Sequence, residues 1–189
     1  MRPFLILWGF GCPIFYKQLY KFSMTDIIID RPSWDEYFLM IAFTVSLRSD
    51  DPNIKHGAVL VDHKKHIIGT GYNGTIKGAD LSKIPMHDRD AKRPYMQHAE
   101  LNCCLNTTKS SSDIDDKCII YVTGEPCNNC LQLLINFGIR NIVIADRMGS
   151  ISENEQSRKM KQSLLDMTGV NIKTIKTTKW IEQYYLKCN

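Results

Sequence analysis

His98, Glu100, Cys127 and Cys130 are the residues of this chain whose types and spacing could do chemistry together. One imidazole and two thiols are the donors that a catalytic zinc takes when its fourth position must stay open to water or substrate. Cys127 and Cys130 in C-x-x-C spacing would also suit a redox pair. That reading leaves His98 and Glu100 without a role, and a purely structural zinc leaves Glu100 without one. Glu100 lies two residues beyond His98, so on a regular helix it would point about 200° away and make a poor fourth ligand. From the first turn of a helix it can still reach over a water activated at the metal and carry that water's proton.

These donors must be brought together by the elements around them. His98 and Cys127 each stand at the start of a predicted helix, His98 to about Thr107 and residues 127 to 137, where the positive helix end favours thiolate over thiol. Upstream, Ser33 with Glu36 reads as a capping box opening a helix to about Arg48, with Phe38, Ile41, Ala42, Val45 and Leu47 as its apolar stripe. GAVLVD (57 to 62) and HIIGTGYN (66 to 73) read as a hairpin across His63-Lys64-Lys65, and Gly71 to Gly74 as a tight turn at its exit. Residues 75 to 97 read as a long polar loop, of a length that is functional or mobile in a small domain. Strands at 118 to 123, 141 to 145 and 170 to 175 alternate with helices, the last at 153 to 167 and stopped at Gly169. The order αββαβαβαβ predicts an α/β fold, a three-layer α/β/α sandwich around a mixed sheet of about five strands.

The 189 residues suit one domain, expected over 24 to 189. Residues 1 to 23 are apolar and acid-free, and are read as an extension, or as sequence upstream of a start at Met24, rather than as a secretion signal. Glycines and Pro13 interrupt this run, so it does not read as a membrane span, and no membrane partner is expected. Of the net charge of +4, Arg2, Lys17 and Lys21 fall in the first 25 residues; the rest holds 21 basic against 20 acidic residues, a net +1. So balanced a body excludes strong nonspecific nucleic-acid binding. Seven cysteines, an odd number, in a chain that needs no stapling point away from a disulfide scaffold and towards a cytoplasmic protein. Cys103, Cys104 and Cys118 read as small core residues.

HAE (98 to 100) followed by PCNNC (126 to 130) is the H-x-E…P-C-x-x-C pattern of the zinc nucleobase deaminases. With WDEYF (34 to 38), RSDDPN (48 to 53), GAVLV (57 to 61), GYNG (71 to 74) and HAELN (98 to 102), the chain resembles the cytidine deaminase superfamily in its deoxycytidylate-acting branch. The resemblance runs from about Ser33 to Val170. It implies one zinc per subunit on His98, Cys127 and Cys130, and hydrolysis of dCMP to dUMP and ammonia, dUMP being the precursor for thymidylate synthesis. Water activated at the metal would add to C4, with Glu100 protonating N3 and then the leaving amine. It implies further that the Ala99 N–H holds the base carbonyl, that Asn73 contacts the sugar or an effector, and that Arg48 contacts the 5′-phosphate.

Relatives of this kind are commonly homo-oligomers, often hexamers, activated by dCTP and inhibited by dTTP. An effector site at Gly71, Tyr72, Asn73 and Gly74, with Mg2+ accompanying the triphosphate, is part of that expectation. His56 stands where relatives usually carry an apolar residue, Ile76 replaces a proline common after GYNG, and residues 145 to 150 lack an aromatic common near the substrate. His87 is read as a loop residue, with a second metal as the alternative; His56, His63 and His66 are read as sheet-end or turn residues. Deamination of another nucleoside or of tRNA, or a catalytically silent nucleotide-binding regulator, are the rival functions.

Overall fold

In the computed structural model, which describes residues 31 to 146 and 154 to 176, the chain enters its first helix through the expected cap. Ser33 Oγ accepts the Glu36 N–H, and the Glu36 carboxylate accepts the Ser33 N–H at 2.7 Å. Helix α1 (Trp34–Ser46) follows. Its buried face is rotated from the expected stripe: Phe38, Leu39, Ala42, Phe43 and Ser46 are buried, while Ile41 and Val45 are half-buried and Leu47 is exposed. The cause is the partner surface. The helix lies so close to β1 (Gly57–Val61) that a Cβ on Gly57 would stand 2.0 Å from the Ala42 carbonyl oxygen, which centres the contact on Ala42.

β1 pairs antiparallel with β2 (Ile67–Tyr72) on one side and with β5 (Ile119–Val122) on the other. β5, β6 (Asn141–Asp146) and β7 (Asn171–Lys176) are parallel, giving the order β2-β1-β5-β6-β7. This is the five-stranded mixed sheet expected, and the alternation of side chains along it makes the two cores. Ala58, Leu60, Ile120, Val122, Ile142 and Ile144 face α3 (Ala99–Leu105) and α4 (Asn128–Asn136), with Leu164 and Leu165 of α5 (Glu155–Thr168) packed against the same cluster. Val59, Val61, Tyr121, Val143 and Ala145 face α1. Cys103, Cys104 and Cys118 are buried in the first core as expected. α5 ends at Gly169, whose left-handed φ of 65° a side chain would strain.

Two regions differ from the reading above. Gly71 to Gly74 is extended rather than a tight turn: β2 runs to Tyr72 and a two-residue strand β3 (Gly74–Thr75) begins at once, with no positive φ in the segment. Gly71 is needed for approach, since a Cβ there would sit 2.2 Å from the Cys103 nitrogen. The long loop is also built. It contains the short helix α2 (Arg89–Lys92), 3₁₀ turns on either side of it, and a strand β4 (Met96–Gln97) paired with β3. The described residues from Pro32 onward form one unit; the extension read over residues 1 to 23, and most of residues 145 to 150, lie outside the described residues. No helix among the described residues is long and apolar enough to cross a membrane.

Candidate metal centre and its cavity

His98 and Cys127 are the residues immediately before α3 and α4, each with extended backbone (ψ 156° and 167°). Both helices begin at the same edge of the first core, so their N-termini converge. His98 Nδ1 lies 3.6 Å from Cys127 Sγ and 3.3 Å from Cys130 Sγ, and the three donor atoms lie within 4.8 Å of one another. Tetrahedral zinc, with Zn–S of about 2.3 Å and Zn–N of about 2.0 to 2.1 Å, places nitrogen and sulphur about 3.6 Å apart. The donor set therefore fits zinc in type and in separation, with three protein ligands and a fourth position left to water or substrate. No other such cluster occurs among the described residues, and His87 lies in a separate shallow groove with Leu81 and Met86.

The electrostatics agree with a bound dication. A hydrogen bond from the Cys130 thiol, aided by His98, brings Cys127 down to about 3 despite burial. That same bond, burial and the nearby Glu100 push Cys130 up. The hydrogen bond with Cys127 raises His98 against the opposing effect of burial. Burial raises Glu100, which is only 5% exposed. Two sulphurs and a carboxyl this close cannot all ionise on their own, and a doubly charged cation balances them.

Glu100 reaches this centre because His98 is not helical. The 200° separation of residues i and i+2 applies only inside a helix; with His98 extended at the cap, both side chains face the same space, and Glu100 contacts Cys130. They line a cavity of about 1060 Å³, enough for a nucleotide-sized ligand.

Of the other expected site residues, Ala99 and Asn73 line this cavity; Gly71, Tyr72 and Gly74 do not. Asn73 is buried, accepting the His56 N–H at 2.6 Å and donating to the Ile54 carbonyl at 2.8 Å, which fixes the segment bordering the cavity. Arg48 is exposed just past the end of α1 and is not among the lining residues.

Several lining residues carry no signal in the sequence. His56 stands beside Thr123, Nδ1 to Oγ1 3.3 Å, and faces the cavity rather than only ending a strand. Asp51 accepts the Lys92 ammonium at 2.7 Å in a buried pair and also accepts the N–H groups of Asn53 and Ile54. Burial opposes ionisation of Asp51, but these donors outweigh it and hold the carboxyl below its ordinary range. Asn128, between the two cysteines, donates to Ser157 of α5, and Lys161 of α5 pairs with Glu125 at 2.8 Å. The spacing of His98, Glu100, Cys127 and Cys130 is legible in the sequence and the resemblance adds Ala99 and Asn73; these further partners are distant in sequence and ordinary in type.

Residues 32 to 146 match the family model described as the cytidine and deoxycytidylate deaminase zinc-binding region. The deoxycytidylate deaminase of Pongo abelii is 37% identical over 76% of this chain and 80% of its own length; that of Homo sapiens is 36% identical with the same coverage. The crystal structure of dCMP deaminase from cyanophage S-TIM5 in complex with dCMP and dUMP shares the fold, with a TM-score of 0.57 at 22% identity over 77% of this chain and 98% of that one.

Proposed function

Because this chain belongs to the family of zinc-binding cytidine and deoxycytidylate deaminases, we propose that it hydrolyses dCMP to dUMP and ammonia. The observation that carries the reading is the buried Glu100 beside the His98, Cys127 and Cys130 donors at the wall of a nucleotide-sized cavity. A zinc ion on those donors supplies Lewis acidity that makes water nucleophilic near neutral pH. Glu100 takes one proton of that water and delivers it to N3 as the water oxygen bonds to C4. It then takes the proton of the hydroxyl added at C4 and passes it to the amine, so that the C4–N4 bond breaks and the C4 carbonyl of dUMP forms as ammonia leaves. A carboxyl whose burial favours the protonated form is suited to holding a proton between these steps. The Ala99 N–H at the start of α3 receives the base carbonyl. Asn73, whose amide oxygen and nitrogen each keep a second hydrogen-bonding position, meets the sugar.

The same reading extends to a cytoplasmic homo-oligomer, hexameric by resemblance, that responds to dCTP and dTTP at Gly71, Tyr72, Asn73 and Gly74 with Mg2+ on the triphosphate. Exposed Trp34 and Tyr37, adjacent on α1, support a subunit contact. The test is to incubate zinc-loaded protein with dCMP, deoxycytidine, cytidine and dCTP while following cytosine absorbance. Turnover of dCMP with equimolar ammonia is expected. Zinc-loaded protein that turns over none of them is a silent nucleotide-binding module, and one that prefers a free nucleoside has a different substrate.

A further inference from the structure

The cavity holds its cations on one element, and that element is not where Arg48 lies. Arg89, Lys92 and Arg93, from α2 and the residue after it, all line the cavity whose other wall carries His98, Glu100 and Cys127. The three charges are not equivalent. Lys92 is 4% exposed and balanced by Asp51, so it serves as a tether. Asp51 in turn grips the Asn53 and Ile54 N–H groups, and the Ile54 carbonyl accepts Asn73. This chain of contacts pins α2 to the segment bordering the cavity. Asp88 fixes the start of the helix by accepting the Asp90 and Ala91 N–H groups.

Arg89 and Arg93 are four residues apart and so project from one helical face. Arg89 is exposed, and Arg93 makes a 3.5 Å contact with the largely exposed Asp90, a pair weak enough in water to yield to a stronger anion. Of the acids that line the cavity with them, Asp51 is committed to Lys92, Glu125 to Lys161 and Glu100 to the metal end; Asp146, at the end of β6, lines it as well. A guanidinium fork matches phosphate oxygens in two parallel hydrogen bonds, which an ammonium cannot do.

We infer that Arg89 and Arg93 form the 5′-phosphate clamp of this site, held in place by the Lys92–Asp51 pair, and that they make the protein select a nucleoside 5′-monophosphate over the free nucleoside. The inference rests on the deaminase reading for the base and adds the residues that recognise the phosphate.

The test is calorimetric titration of the zinc-loaded full chain with dCMP and with deoxycytidine in the Glu100→Gln background, where bound dCMP is not consumed, with conversion followed separately in the parent. The Arg89→Gln/Arg93→Gln variant is expected to lose dCMP affinity by on the order of 10- to 100-fold, the range for charge-assisted hydrogen bonds, while deoxycytidine affinity changes less than about twofold. Zinc content and melting temperature should match those of the parent, since both side chains are exposed. Arg89→Lys/Arg93→Lys should recover only part of the loss, because charge returns without the fork. Arg48→Gln should keep the parent's dCMP affinity. Unchanged dCMP affinity in the double glutamine variant, or the loss appearing in Arg48→Gln instead, overturns the assignment. A parent that binds dCMP without converting it overturns the deaminase reading and leaves the clamp to stand or fall on the affinities. A parent that binds neither compound overturns both.

Discussion

His98, Glu100 and Cys127 on one wall of the cavity, and Arg89 and Arg93 on the other, are positioned by different physics. The first wall stands on α3 and α4, whose inner faces are buried in a common core with four strands, so the metal donors inherit the rigidity of close packing. The second is a four-residue helix in an irregular connection, with a hydrogen-bonded N-cap at Asp88 and one buried ion pair in place of a core. Chemistry that needs sub-ångström placement is carried by regular elements. Recognition of a charged group, which tolerates more freedom, is left to a built loop. Tightening of the first wall is visible at Gly71, where strand and helix touch so closely that no side chain fits.

The comparison can be broken most severely from the first wall. Glu100→Gln keeps the shape and the donor set, so the protein should retain zinc by elemental analysis while dCMP turnover falls by roughly 10²- to 10⁴-fold, the range for lost general acid–base catalysis. Parent-level turnover in that variant would remove Glu100 from the mechanism. On the second wall, Lys92→Met leaves the Asp51 carboxylate buried without its cation. Loss of one partner of a buried pair costs about 3 to 5 kcal/mol, readable as a lower denaturation midpoint; a variant as stable as the parent would mean that the pair does not hold this wall.

Acid sharpens the same contrast. Asp51 is held below its ordinary range in the folded protein, so its contribution is fully present above about pH 4 and is lost as the pH falls through the folded value. The melting temperature of the parent should therefore drop on acidification, and Lys92→Met should drop less steeply, having already lost the partner that depresses Asp51. Equal slopes would place the acid sensitivity elsewhere. The smallest effect is expected far from both walls: Ser33→Ala removes one side of the capping box and should cost about 1 kcal/mol with turnover unchanged, so a large change in rate would show that α1 is coupled to the site.

Much of this architecture could be read from local pattern. The Ser33–Glu36 box, the strand at Gly57, the stop at Gly169 and the placement of His98 and Cys127 before helices are each set by residues within a few positions of one another. The buried face of α1 was misplaced because periodicity alone allows neighbouring stripes, and the choice fell to the surface of β1 around Gly57. Gly71 to Gly74 looked like a turn because glycine permits one, yet here glycine serves close approach to α3. The Asp51–Lys92 pair spans 41 residues, and nothing in either residue's neighbourhood announces the other.

By itself, then, the sequence determined the donor set, the order of the sheet strands and the helices packed on them, and the class of reaction, because metal ligands and helix caps are specified by residue type at short spacing. Tertiary structure alone decided that His98 is extended and Glu100 therefore faces the metal donors, that His56 and Asn73 border the cavity, and that the arginines at the cavity are Arg89 and Arg93 rather than Arg48. Those outcomes depend on how separate elements meet in space. Such meetings are settled by the packing of whole faces, which no short run of residues encodes.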